Sequence, residues 1–519
     1  MREVADRLVK KLPIQAAIAK EAAASRNLVP PEVGWERIAA SSASIERWIA
    51  SQLRGGFIPS GQEMTSVRKT HGTRPVPYWG PAERIIYRAL TDVILGSDFS
   101  VDRSVEAYLS FVKAPVRYSQ SLQRRQSEGQ QPQALFFFLQ SEISYVTKSD
   151  ITAFYQYVDH AILAQELQVR GGDFDAISHL LELLFEVQGR SYGIPQLLDA
   201  SDHLSEVYID RVERHLLRKG IPTWRFNDDF RMACRTYSEA LDSIEQLDAA
   251  ARASGLVISE SKTLTFGFMK YMIDSSILEP QLGQKAMNVD DVEAAVGDYT
   301  DDFSGDTDPA KAAIKSAQAT GGEDASMDLR KTTVEDGRIL RRAFNALIAA
   351  TDPDVVEDIL RLFIYVPALS PTLCKYLASV YSVAQDRVST ALDDIIGQVS
   401  MNEWQRQWVI HVIYQLKLLG SQAPGDVGSR ITWVESARLE SPSQVTVAIA
   451  TLALAAERSI DFNTVMQEFE TSPLALLNWY ATALREYRDT SPDSGLDKRL
   501  EAVAKTSPLH HALVTFDAS

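Results

Sequence analysis

Apolar residues recur at helical spacing through roughly the first 60 positions, with breaks at Pro30-Pro31 and Gly55-Gly56, which predicts a short run of amphipathic helices. Between residues 61 and 285 the period changes. Short β-type runs at 143–147 and 264–268 alternate with helical stretches such as 177–187, so an α+β domain is expected there. Residues 286–335 lose the apolar rhythm and become rich in Asp and Gly, the pattern of an acidic linker.

From 336 to 519 helix is expected to follow helix. Asp352-Pro353, Ser370-Pro371, Ser441-Pro442 and Ser472-Pro473 each place a capping residue before a proline and an apolar run. Proline loses nothing in the first turn, where its missing N–H has no intrahelical partner, and the preceding oxygen can satisfy an exposed donor. The runs at 445–456 and 474–484 are apolar on more than one side, as in helices sandwiched between neighbours in a solenoid-like array.

Composition fits this division. A chain of 519 residues exceeds what one core usually serves, and 45% apolar with 24% charged residues is ordinary for a soluble globular protein. No run of about 18 uncharged apolar residues and no signal-peptide core near the start are present, so a cytoplasmic protein without membrane contact is expected. Two distant cysteines, Cys234 and Cys374, suit neither a disulfide framework nor a structural zinc site. The net charge of −16 argues against tight, sequence-blind binding to long duplexes. Charge is uneven, however: residues 289–308 carry acids and no base, while Arg68, Lys69, Arg74, Arg84 and Arg88 make a locally basic stretch.

Candidate chemistry sits in the middle region. Phe226-Asn227-Asp228-Asp229 puts a tandem aspartate after an aromatic and a small residue. Upstream, the β-type run Tyr145-Val146-Thr147-Lys148-Ser149 ends at Asp150 and then turns toward a helix, which delivers Asp150 to a strand end. Nucleotidyl transfer uses two divalent ions about 3.5–4 Å apart, and carboxylates from two separate strands can bridge such a pair. Asp150 and Asp228, with Asp229 beside them, are the candidates.

Here the chain resembles reverse transcriptases across most of residues 67–266. Asp150 with Phe154-Tyr155 looks like motif A, Gly193-Ile194-Pro195-Gln196 like motif B, and Phe226-Asn227-Asp228-Asp229 like motif C. Gly255-Leu256-Val257-Ile258 with Ser261-Lys262-Thr263 looks like motif D. Val67-Arg68-Lys69, Gly72-Thr73-Arg74-Pro75-Val76 and Glu83-Arg84-Ile85-Ile86-Tyr87-Arg88-Ala89-Leu90 resemble the fingers segments.

The resemblance implies a right-hand palm and fingers followed by an all-α helical-repeat domain. The expected division is 1–60, 61–285, a linker at 286–335, and 336–519. It implies that Asp150, Asp228, Asp229 and the Ile151 carbonyl ligate Mg2+, with Mn2+ as a substitute. Lys262 would serve as general acid toward pyrophosphate. Lys69 and Arg74 would hold the triphosphate, Tyr155 would gate the sugar, and Gln196 and Phe226 would contact substrate. Two departures stand out. Phe226 replaces a frequent tyrosine, and Leu197 follows Gln196 where many templated enzymes have glycine, which puts ordinary template handling in doubt.

No RNase H or maturase region is visible, and the arrangement looks like the bacterial abortive-infection and unknown-group defence reverse transcriptases. That branch implies template-independent DNA synthesis in antiphage defence, with deoxynucleoside triphosphates as substrates, a single-stranded DNA product, an RNA or DNA template as a further partner, and assembly into trimers or hexamers. A protein primer would require a side-chain hydroxyl, for which Tyr480 and Tyr487 are among the candidates. Two other readings stay open: an RNA-templated enzyme working with a noncoding RNA, and a non-catalytic oligomeric scaffold.

Overall fold

The computed structural model describes residues 1–69, 72–126, 141–283, 307–319, 334–490 and 494–515. The chain divides into two compact units, one made of Met1–Leu90, Glu186–Gly189 and Asp302–Ser519, the other of Thr91–Phe185 and Arg190–Asp301. The expected boundary at residue 60 is therefore displaced: the first 90 residues group with the C-terminal helices.

The second unit is built on a four-stranded antiparallel sheet in the order β4-β5-β3-β6, with β3 at Tyr145–Asp150, β4 at Thr223–Phe226, β5 at Asp229–Cys234 and β6 at Leu264–Gly267. Side chains alternate across it. Phe230, Met232 and Cys234 point one way, and the Cys234 thiol meets Ser243 of the Tyr237–Arg252 helix at 3.7 Å. On the other face Val146 and Ala233 join Ile143, Phe268 and Tyr271 in a buried cluster, with Val116 of the Val105–Gln126 helix against it. Both faces are covered, so β3 and β5 lie inside a sandwich and their ends are rigidly placed.

In the first unit, alternate helices of the C-terminal region stack in one row: Val334–Ala350, Ser370–Val380, Glu403–Gln415, Gln444–Ala456, Leu477–Thr490 and Pro508–Val514. This is the expected helical-repeat packing, and Gln444–Ala456 is buried on nearly every side. The remaining strands, β1 (Glu63–Arg68) and β2 (Thr73–Tyr78), form an antiparallel hairpin. Thr65 Oγ1 of β1 donates to Gln407 Oε1 at 3.1 Å, and Trp404 Nε1 donates to the Leu28 carbonyl at 2.6 Å. Such contacts tie the N-terminal residues to the helical row and explain the displaced boundary.

The basic stretch shrinks once folded. Arg84 is buried with Glu21 and Glu32, each at 2.6 Å, and stacks on Trp35 at 4.5 Å. Arg88 is buried as well. Arg68, Lys69 and Arg74 remain at the outer end of the hairpin.

Of the expected proline starts, Ser370-Pro371 falls in the first turn of its helix, but Leu369 holds the cap position after a 3-10 turn and Ser370 Oγ donates to the Pro367 carbonyl instead of capping. After Ser441-Pro442 the cap is Ser443, and after Asp352-Pro353 and Ser472-Pro473 a 3-10 turn comes first. Ser507-Pro508, not singled out from the sequence, is a capped start in which Ser507 accepts from the His510 amide. The expected linker lies largely outside the described residues. Within it, Thr307–Ala319 is a helix packed on Val334–Ala350, with Lys311 paired to Asp352 at 2.5 Å and Asp354 at 2.7 Å. Among the described residues no helix is long and apolar enough to cross a membrane.

Candidate active site

Strands β3 and β5 run antiparallel in a register that sets Asp150 opposite Asp229, and the Ile151 amide donates to the Asp228 carbonyl at 3.2 Å. Residues 227 and 228 are the two-residue turn between β4 and β5, since Phe226 pairs with Asp229. Asn227 takes φ of 53°, a left-handed conformation that asparagine tolerates better than most residues. The two acidic motifs, far apart in sequence, therefore meet at one end of the sheet.

Gathering carboxylates there has an electrostatic consequence. Burial, followed by the charges of Asp150 and Asp229, pushes the Asp228 carboxyl up to about 7. Lys262 answers part of this charge: its Nζ lies 2.9 Å from Asp150 Oδ2. Partial burial opposes the ammonium, yet Asp150, with Asp229 and Asp228 behind it, raises its pKa. Lys262 is delivered by a segment threaded beside β3, where Thr152 N donates to the Val257 carbonyl and Ser259 N to the Asp150 carbonyl. The Ser149 and Thr263 hydroxyls, 2.8 Å apart, fasten the same segment.

Among the described residues no three His, Cys, Asp or Glu side chains are grouped tightly enough to hold a metal by themselves. The donor set still fits magnesium. This hard cation is commonly bound by one or two carboxylates and completed by substrate phosphates, not by an all-protein cage. A buried aspartate whose pKa is raised by neighbouring carboxylates is a group that a cation would favour in its ionised form.

Behind the turn lies a charged network that sequence reasoning missed. Arg225 pairs with Glu206, reaches Glu213 at 3.2 Å, and donates from Nη1 to the Asn227 carbonyl at 3.0 Å. Arg103 Nη2 donates to Asn227 Oδ1 at 3.1 Å and lies over the Phe226 ring. Phe226, expected at the substrate, is instead 6% exposed, with its ring against Tyr108 at 5.5 Å and Phe111 at 5.9 Å. Its contribution is to anchor the turn from within the core.

Tyr155 follows the left-handed Ala153 and is half-buried. Its hydroxyl donates to Asp202 Oδ1, and burial together with Asp202 raises its pKa well above the usual range. The Tyr155 carbonyl accepts from Ile194 of the Gly193–Gln196 turn at 2.8 Å, so motifs A and B meet here. Gly193 takes φ of 85°, a conformation that favours glycine, and a Cβ there would sit tightly, 3.0 Å from Arg190 Nη2 and 3.1 Å from the Gln156 carbonyl oxygen. Gln196 is half-buried, and Leu197 after it takes φ of 62°. The backbone keeps the glycine-like conformation although the residue is leucine.

Lys69 and Arg74 belong to the first unit, at the outer end of the β1-β2 hairpin, where Lys69 N donates to the Gly72 carbonyl at 3.0 Å and Arg74 pairs across from Val67. Of the two tyrosines named for priming, Tyr480 is 2% exposed, and Tyr487 lies against Phe462 and under Arg458.

Residues 101–282 match the family model described as reverse transcriptase (RNA-dependent DNA polymerase). The chain carries a reverse-transcriptase domain. Its sheet, paired acidic motifs and turn are the palm of that polymerase type, and the activity class is nucleotidyl transfer. Among curated protein sequences none matches the chain. Solved structures with partial likeness include apo telomerase from Candida tropicalis, at 11% identity and a TM-score of 0.30 over 84% of this chain and 73% of that one. Another is telomerase from Candida albicans in complex with the TWJ fragment of telomeric RNA, at 12% identity and a TM-score of 0.31 over 71% and 67%.

Proposed function

We propose that this reverse-transcriptase domain synthesises single-stranded DNA from deoxynucleoside triphosphates without copying a template, in antiphage defence. The observation that carries the polymerase chemistry is the register that sets Asp150 against Asp229 beside the Asp228 turn. Asp150, Asp228 and the Ile151 carbonyl, with Asp229 adjacent, are the oxygens that would hold Mg2+ or Mn2+. When bound, the ions supply activation of the attacking hydroxyl and neutralisation of the triphosphate.

The remaining roles fall to the chain's own groups. Lys262 keeps a proton on Nζ beside Asp150 and is assigned to give it to departing pyrophosphate. Tyr155 presents its ring to the sugar, Gln196 lies under the new base pair, and Lys69 and Arg74 grip the triphosphate as point charge and fork. Leu197 supports template independence, because a branched side chain stands where close approach of the backbone to a template calls for glycine. The stacked C-terminal helices support the abortive-infection and unknown-group branch, with a homo-trimer or hexamer as the assembly and a protein hydroxyl as an admissible primer.

The description of the matched family as RNA-dependent favours a second reading, RNA-templated synthesis with a noncoding RNA partner. One experiment separates the two. Purified protein receives each labelled deoxynucleotide with Mg2+ or Mn2+, with and without RNA or DNA template, and products are resolved before and after protease. Template-free incorporation is expected. Synthesis confined to reactions with added RNA would replace the first reading by the second, and a product whose mobility changes on proteolysis would identify a protein primer.

A further inference from the structure

The Asp199–Arg218 helix carries two acids one turn apart, Asp202 and Glu206, and each is committed to a different part of the site. Glu206 holds Arg225, whose guanidinium supports the turn bearing Asp228. Asp202 Oδ1 accepts the Tyr155 hydroxyl at 2.5 Å, while Ser205 Oγ donates to the same phenolic oxygen at 3.4 Å. The Tyr155 ring also meets Phe154 edge-on at 5.5 Å. Tyr155 is thus fixed at its backbone, its ring edge and its hydroxyl.

Two other buried tyrosines in this unit end on neutral acceptors, Tyr208 on the Ser254 carbonyl and Tyr271 on the Val112 carbonyl, whereas in the helical row Tyr414, like Tyr155, donates to a carboxylate, that of Glu486. A carboxylate costs more to desolvate than a carbonyl, so its use at Tyr155 calls for a return. Hydrogen bonds to an ionised acceptor are stronger and more directional, which suits a ring whose plane must not swing.

We propose that Asp202 is a positioning residue for sugar selection: acting through the Tyr155 hydroxyl, it fixes the aromatic wall against which the 2′ position of the incoming nucleotide is measured. This rests on the reading of Tyr155 as the sugar gate. Removing Asp202 frees the ring to rotate away, and a ribose 2′-hydroxyl then meets less resistance.

The test measures deoxy- over ribonucleotide discrimination, as the ratio of kcat/KM values, together with melting temperature. The variants are Tyr155→Ala, Asp202→Ala, Asp202→Asn, Tyr155→Phe and the double variant Tyr155→Phe/Asp202→Ala. Tyr155→Ala is expected to relax selection most. Asp202→Ala is expected to lower the ratio by about tenfold, mainly through a lower KM for ribonucleotides, the loss of one charge-assisted hydrogen bond. Asp202→Asn, whose neutral amide oxygen still accepts but without charge assistance, should fall between the wild type and Asp202→Ala. In the Tyr155→Phe background, which already lacks the link, Asp202→Ala should add nothing further.

If Tyr155→Ala relaxes selection and Asp202→Ala does not, Asp202 is merely structural and the proposal falls while the gate stands. If Tyr155→Ala leaves selection intact, gate and proposal fall together. An undiminished Asp202→Ala effect in the Tyr155→Phe background also overturns it. Should Asp202→Ala not fold, Tyr155→Phe alone decides, because it breaks the same link with little change in volume and must lower the ratio similarly.

Discussion

Asp228 is held where its charge is least welcome, and under the proposed metal site that makes it a reporter of cation binding. Its pKa of about 7 lies above the unfolded value of 3.8, so the folded chain holds the extra proton in between. The stabilising protonation is complete below the unfolded pKa and is lost as pH rises through about 7. Since a metal ligand must be ionised, Mg2+ should raise the melting temperature more at pH 8 than at pH 6. Asp228→Asn should abolish that difference, and a Mg2+ response equal at both pH values would sink the assignment. Leu197 gives a second prediction. Replacing it by glycine relieves a left-handed strain of about 1 kcal/mol and should raise the urea midpoint. Under the template reading, Leu197→Gly should also increase extension on an added RNA template. That Asp150, Asp228 and Asp229 would converge was legible because their motifs follow the order seen in reverse transcriptases. Asp202, Glu206, Arg225 and Arg103 were not, because one charged letter on a helix or loop does not disclose what it faces after folding. Phe226 shows the same limit: an aromatic before Asn-Asp reads alike whether its ring meets substrate or core.

At the level of elements, the turn between β4 and β5 depends on a helix that precedes it. Glu206→Ala leaves buried Arg225 with Glu213 as its nearest remaining acid, a change that should destabilise by about 3 kcal/mol. Because Arg225 also holds the Asn227 carbonyl, the same variant should lower kcat by about tenfold with little change in KM. Thermal melting and single-turnover rates check both halves; a stable variant with wild-type kcat would detach the network from the site. Strand and helix identities were largely readable from period, as β3, β6 and the Gln444–Ala456 helix show. Helix starts were read less well. A Ser-Pro pair fixes two residues, whereas the cap depends on how the incoming chain arrives, which is why Ser443 and not Ser441 accepts from Thr446.

At the level of the whole molecule, the helical row carries its own pH sensitivity. His411 is buried between Trp408 and Tyr414, its Nδ1 has no hydrogen-bond partner among the described residues, and burial lowers its pKa to about 4. The unfolded chain protonates near 6.5, so this contribution is full above that value and is lost as pH falls toward 4, by up to about 3 kcal/mol. His411→Phe should flatten acid denaturation of this unit, and an unchanged acid midpoint would show that other groups dominate.

The way the two units share the chain also imposes an order of assembly. The unit with the paired aspartates draws on residues 91–301 with only a four-residue interruption, and it can close as soon as they leave the ribosome. The β1-β2 hairpin, synthesised earlier, must wait for partners such as Gln407, 342 residues after Thr65. Until the later helices are made, the N-terminal helices can pack on one another, but the β1-β2 hairpin lacks its partners in the helical row, a condition that leaves apolar surface exposed in a nascent chain. The β1-β2 hairpin, with Lys69 and Arg74 at its outer end, is thus completed only after the C-terminal helices exist.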